Sequence, residues 1–238
     1  MMLSMDADQS PRMNTNSNGR RLSTIRSGMT LVEVLLVVAI GFVLFFVLIP
    51  PPGHRHNRVI AARMTCMRNL KQIAMAELLW GADNGGRFCA TVSTNFGGSL
   101  EMLHAGQVAA HFEILNIYLK SAPTLYHCPM DSRQATNATG IKNGEVSYFV
   151  SLDADFGRSN LCLVGDRNLT IKGSDAQAGM LVLRSDSKAA WTKEMHSIKS
   201  WERNGVVALP DGHAEVVLEK TMARLTQLGA QANRLVFP

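Results

Sequence analysis

The stretch Gly28-Met29-Thr30-Leu31-Val32-Glu33-Val34-Leu35-Leu36-Val37-Val38-Ala39-Ile40-Gly41-Phe42-Val43-Leu44-Phe45-Phe46-Val47-Leu48-Ile49 decides the reading of this chain. From Met29 to Ile49 it runs 21 residues with two clearly polar members, Thr30 and Glu33. At 1.5 Å per residue a helix of that length spans about 30 Å, the thickness of a bilayer's hydrocarbon core. A secretory signal would have a shorter apolar core, about 7–15 residues, ending in small residues suited to signal peptidase. This run is longer, carries an acid near its start and ends in Pro50-Pro51-Pro52, features of a retained anchor.

Glu33 is the informative residue. A carboxylate at mid-bilayer costs about 2.5–3.5 kcal/mol, less near a helix end, so its presence there calls for a partner or a function. Two readings stand side by side. If the bond after Gly28 is cut, Met29 gains an α-amino group that is positive at neutral pH. In a bundle of parallel helices the amine of one subunit can then neutralise Glu33 of a staggered neighbour. In the plainer reading, the acid complements the helix macrodipole at the bilayer edge.

Upstream, residues 1–19 are rich in Ser, Asn and Met without apolar periodicity, and read as a disordered cytoplasmic lead-in. Met2, Met5 and Met13 are alternative starts. Arg12, Arg20, Arg21 and Arg26 set against Asp6 and Asp8 give this leader +2 of the chain's net +5. Four arginines lie on the other flank too (Arg55, Arg58, Arg63, Arg68), so charge counting does not orient the anchor. No Lys/Arg run with interleaved aromatics occurs, and with 6% aromatic residues no nucleic-acid partner is expected.

Downstream, residues 50–82 continue as a soluble helix bent or interrupted near Pro50. Ile60, Met64, Met67, Leu70, Ala74 and Leu78 recur at three- and four-residue steps. Asp83-Asn84-Gly85-Gly86 stops it. Residues 83–238 then read as a globular domain of short strands. Glu145–Leu152, Asn160–Val164, Gly205–Leu209 and Ala214–Leu218 are the candidates, the last two joined by Pro210-Asp211-Gly212-His213. Helices are expected over His104–Leu119 and Glu219–Asn233. The fold class is α+β: a long N-terminal helix, transmembrane in its first half, packed on a small antiparallel sheet.

The run from Gly28 through Leu36 resembles the N-terminal signal of type IV pilins and type II secretion pseudopilins. The resemblance implies cleavage after Gly28 by a prepilin peptidase, N-methylation of Met29, an assembly role for Glu33 and a helix-bending Pro50. Met29 stands where the family usually has Phe, and the leader of 28 residues is long for it. Cys66-Met67-Arg68-Asn69-Leu70-Lys71-Gln72-Ile73, the Asp83-Asn84-Gly85-Gly86-Arg87-Phe88 stop, His127-Cys128-Pro129-Met130-Asp131, Ser147-Tyr148 and Asp211-Gly212-His213 resemble, in order, a pseudopilin-like group common in planctomycetes and related bacteria. Together these imply a non-enzymatic subunit, with the leader inside, the globular part periplasmic, and other pilin-like subunits and an inner-membrane platform as partners. The competing expectation is a periplasmic binding or enzymatic domain on an uncleaved anchor; a third is a competence-type pilin that touches DNA.

The four cysteines, Cys66, Cys89, Cys128 and Cys162, all follow the anchor and allow three pairings. The resemblance implies Cys66–Cys128, leaving Cys89–Cys162. With no C-x-x-C pair, the local spacing of a zinc site is absent, and neither metal nor cofactor is expected. Asp211, His213 and Glu215 alternate around a turn, which is more often turn chemistry than a metal edge. Asp153-Ala154-Asp155 is a thin calcium candidate. His127 beside Cys128 invites a nucleophile reading, but neighbours in an extended segment point to opposite faces. No Gly-x-Ser-x-Gly and no phosphate-cradling loop occurs.

Overall fold

The computed structural model describes residues 28–48, 54–120, 123–133, 140–157, 161–184, 186–197, 202–219 and 233–238. The chain divides into two units, Met1–Pro50 and Pro51–Pro238. In the first, the apolar run forms α1, Leu31–Leu48, and none of its 18 residues is buried. It is long and apolar enough to cross a membrane. The expected bend at Pro50 and the leader before Gly28 lie outside the described residues.

In the second unit the leading element is α2, His54–Asp83, 30 residues long. It ends as the sequence predicts. Gly85 and Gly86 take positive φ (73° and 72°), and the Gly86 N–H reaches back to Gly81 O at 2.8 Å, so the last carbonyls are satisfied. Its buried face is rotated from the expected stripe. Val59, Ala62, Cys66, Leu70, Ile73, Glu77 and Trp80 line the core, whereas Ile60 and Met64 are 40% and 58% exposed. Counting apolar residues alone misplaced the phase, because the true inner face includes two polar residues, Asn69 and Glu77.

Beyond α2 come α3 (Leu100–His104) and α4 (Val108–Leu119). The single helix expected over His104–Leu119 is thus broken at Ala105-Gly106-Gln107, where Gly106 has φ 75°. Six strands form the main antiparallel sheet: β1 (Tyr148–Ser151), β2 (Val164–Asp166), β5 (Gly179–Leu183), β7 (Asn204–Ala208), β8 (Ala214–Leu218) and β9 (Asn233–Phe237). Their order is β5-β9-β1-β2-β7-β8. A second sheet, β4-β3-β6, comprises β3 (Leu169–Ile171), β4 (Ser174–Asp175) and β6 (Ala189–Trp191).

Every residue of β1, β2 and β7 is buried, because both faces of the sheet are covered. On one face Tyr148, Val150, Val164, Val206 and Ala208 meet Cys66, Leu70, Ile73 and Phe112 of the helices. On the other, Phe149, Val207, Leu235 and Phe237 meet Leu169 and Trp191 of the smaller sheet. Gly205 makes this second face possible: a Cβ there would lie 2.4 Å from the Trp191 ring. The β7–β8 hairpin pairs Ala208 with Ala214 and closes through Gly212 at φ 84°. Asn233, expected to end a helix, begins β9 instead; residues 220–232 lie outside the described residues.

Candidate functional site

Two places concentrate groups that carry chemistry. The first is the start of α1. Thr30 precedes the helix, and its side-chain oxygen accepts the Glu33 N–H at 3.3 Å. Glu33 Oε2 accepts the Thr30 N–H at 2.8 Å and the Thr30 hydroxyl at 3.0 Å. This is a capping box, in which two orphan donors of the first turn are satisfied reciprocally. The carboxylate that the sequence leaves without a partner therefore has one within its own chain. Both bonds that the carboxylate accepts end on Oε2. Gly28 and Met29 precede the helix and are exposed.

The second place lies inside the globular unit. Cys66 from the middle of α2, Cys128 from the turn after Pro123–Tyr126, Asp166 from the end of β2 and His196 from the loop before β7 are all buried. One ligand-capable atom from each lies within 4.8 Å of all the others. His196 Nε2 is 3.4 Å from Cys128 Sγ and 3.2 Å from Asp166 Oδ2. Asp166 Oδ2 also accepts the Val206 N–H at 2.7 Å, while its Oδ1 is buried without a partner. His196 adopts φ 60°, a left-handed conformation uncommon outside glycine, and is held there by the Arg63 guanidinium donating to its carbonyl at 2.7 Å. Burial lowers the His196 pKa, but bonding to Asp166 and Cys128 outweighs it and brings it to about 10. Burial pushes the Cys128 thiol up.

No family model, curated protein or solved structure matches this chain.

All four cysteines are free thiols. Cys66 and Cys128 lie together, whereas Cys89 and Cys162 belong to different apolar clusters on opposite faces of the sheet. The histidine beside Cys128 is not its neighbour His127, which turns to Ser147 Oγ at 3.4 Å, but His196. Asp166 and His196 escaped sequence reasoning. Asp166 left one trace, a carboxylate closing the apolar run Leu161–Gly165; His196 left none.

The remaining candidates resolve into structural chemistry. Asp211 Oδ1 accepts the His213 N–H at 2.8 Å within the turn, and both residues are exposed. Asp153 is bound by Arg234, whose Nη2 lies 2.6 Å from Oδ1 and whose N–H reaches Oδ2 at 2.6 Å. Asp131 of the His127–Asp131 stretch pairs with Arg167 Nη2 at 2.6 Å, accepts the Ser147 hydroxyl at 2.7 Å, and is held well below the usual carboxylate range by Arg167, Arg133 and Ser147 against burial. A third buried network links Glu77, His111, Ser99 and Cys89. His111 Nε2 is 2.8 Å from Glu77 Oε1, and its Nδ1 is 2.7 Å from Ser99 Oγ. The order carboxylate–imidazole–hydroxyl resembles a catalytic relay, but Ser99 is wholly buried.

Proposed function

We propose that this chain is a pilin-like structural subunit of a type II secretion pseudopilus or type IV pilus-like filament. It is inserted in the inner membrane with its leader cytoplasmic and its sheet unit periplasmic. A prepilin peptidase cuts after Gly28 and methylates Met29, and the mature chains associate through α1. One observation carries this reading: an 18-residue helix with no buried residue, whose single ionisable group sits in the first turn, directly after an exposed Gly28-Met29 bond. In lipid such a helix meets its partners through apolar packing, and an acid near its start is accommodated by a cation from a neighbour. Glu33 spends Oε2 on the Thr30 cap, which leaves Oε1 to face that cation.

The capping box also favours a second reading. Glu33 is already satisfied within its own chain, as suits an uncleaved anchor that carries a periplasmic domain and never polymerises. Mass spectrometry of the N-terminus separates the two. The subunit reading expects a chain beginning at methylated Met29; an intact leader in cells with active prepilin peptidase overturns it.

A further inference from the structure

The geometry points to a buried metal site in the globular unit: Cys66, Cys128, Asp166 and His196 together hold one divalent cation of zinc's type. The two thiolates, one imidazole nitrogen and one carboxylate oxygen form a closed, four-coordinate set with no position left for water, the arrangement of a structural rather than a catalytic centre. The reading is independent of the fate of α1.

Spacing supports it. Around a tetrahedral zinc, with bonds of roughly 2.3 Å to sulfur and 2.0–2.1 Å to nitrogen or oxygen, neighbouring ligand atoms lie about 3.3–3.8 Å apart. His196 Nε2 is 3.4 Å from Cys128 Sγ and 3.2 Å from Asp166 Oδ2, and all four atoms fall within 4.8 Å. Proton counting supports it as well. Nε2 carries at most one hydrogen, yet faces both a sulfur and a carboxylate oxygen, so as a donor it serves only one of them fully. As a ligand, Nε2 offers a lone pair in place of that hydrogen, so that one cation serves both neighbours at once.

Simpler explanations each leave part of the cluster out. An imidazolium–carboxylate pair accounts for His196 and Asp166 but not for two thiols converging on them. A Cys66–Cys128 disulfide accounts for the sulfurs but not for a histidine nitrogen aimed at one of them. A cation uses all four groups and gives the second, unpartnered Asp166 oxygen a positive neighbour. The softness of the donors selects zinc over calcium or magnesium, which take oxygen ligands. Bound there, the ion ties α2, the Cys128 turn, β2 and the His196 loop to one point.

The test uses the full chain, solubilised in detergent and purified anaerobically with reductant. Elemental analysis is expected to find about one zinc per chain, as a closed four-ligand site holds one ion. Cobalt exchange should give the thiolate-to-cobalt charge-transfer band and the strong visible bands of a tetrahedral ion. Zinc should raise Tm over the chelated protein and shield Cys66 and Cys128 from a thiol reagent. Cys66→Ser and Asp166→Asn should lose the ion, whereas Cys89→Ser and Cys162→Ser keep it. Because a ligand variant can fail to fold, the wild-type measurements decide. Reduced wild-type protein that takes up neither zinc nor cobalt overturns the site, whether or not it was isolated with a Cys66–Cys128 disulfide. So does zinc binding undiminished in a folded Cys66→Ser/Cys128→Ser chain.

Discussion

Replacing His111 by Gln should remove a defined part of the protein's pH dependence. The groups facing its two ring nitrogens fix its protonation state. Ser99 Oγ donates its hydrogen to Cys89 O at 3.2 Å, so at 2.7 Å it accepts from His111 Nδ1. On the other side Nε2 lies 2.8 Å from Glu77 Oε1, whose second oxygen accepts the Cys89 N–H at 3.0 Å. Both ring nitrogens therefore carry hydrogen, and the ring is an imidazolium. Burial works against that charge, but the Glu77 carboxylate outweighs it and raises the His111 pKa from 6.5 to about 10.

The sign follows from linkage. The folded pKa lies above the unfolded one, so the stabilisation is complete below pH 6.5 and is lost as pH rises toward about 10. Within that window each pH unit removes on the order of 1.4 kcal/mol. Denaturant midpoints of wild type and His111→Gln, measured with reductant from pH 6 to 9.5, should converge as pH rises, since the remaining titrating groups are common to both. Removing one partner of a buried pair costs about 3–5 kcal/mol, so the gap at pH 6 should be of that order. Parallel curves would refute the imidazolium assignment.

At α1, Thr30→Ala removes the cap and keeps the charge, whereas Glu33→Gln keeps an acceptor and removes the charge. All three of Thr30→Ala, Glu33→Gln and Glu33→Ala should insert, but only the Glu33 variants should fail to cross-link into mature assemblies; normal assembly of both sinks the pairing mechanism. Gly205→Ala places a Cβ 2.4 Å from the Trp191 ring and should cost about 1–3 kcal/mol by overpacking, read as a lower urea midpoint. Asp131→Ala removes the buried carboxylate shared by Arg133, Arg167 and the Ser147 hydroxyl and should cost about 3–5 kcal/mol by the same assay, while Asp211→Ala, in an exposed turn, should change little.

What could be read from the chain was what is local in it. α1 declared itself by an unbroken apolar run, α2 by period and by its Asn84-Gly85-Gly86 stop, and β8 by alternation next to a Pro-Asp-Gly turn. β3, β4 and β6 did not, because they are two or three residues long and rich in Ala, Thr and Ser, with little alternation to detect. The phase of α2 was missed for a related reason: Glu77 and Asn69 face inward, where their partners are distant in sequence. Gly28, Met29 and Glu33 were legible because six residues contain them. Cys66, Cys128, Asp166 and His196 were not, since they come from a helix, a turn, a strand end and a loop that meet only in the folded unit. The missing C-x-x-C excluded a local zinc knuckle and said nothing about a tertiary one.

The distribution of buried polar groups gives α2 a role beyond filling the core. Cys66 enters the Cys128–Asp166–His196 cluster, Arg63 holds the His196 carbonyl, and Glu77 anchors His111 and the Cys89 backbone; all three sit on the same helix. Apolar packing alone tolerates a helix that slides or turns by a fraction of a residue, because a leucine side chain is satisfied by many neighbours. A charge pair buried at 2.8 Å and a four-atom cluster do not, since each leaves an unpaired buried charge or donor when displaced. Two such fixed points, Cys66 and Glu77, lie 11 residues apart on α2, about three turns, so they set both its axial position and its rotation on the sheet.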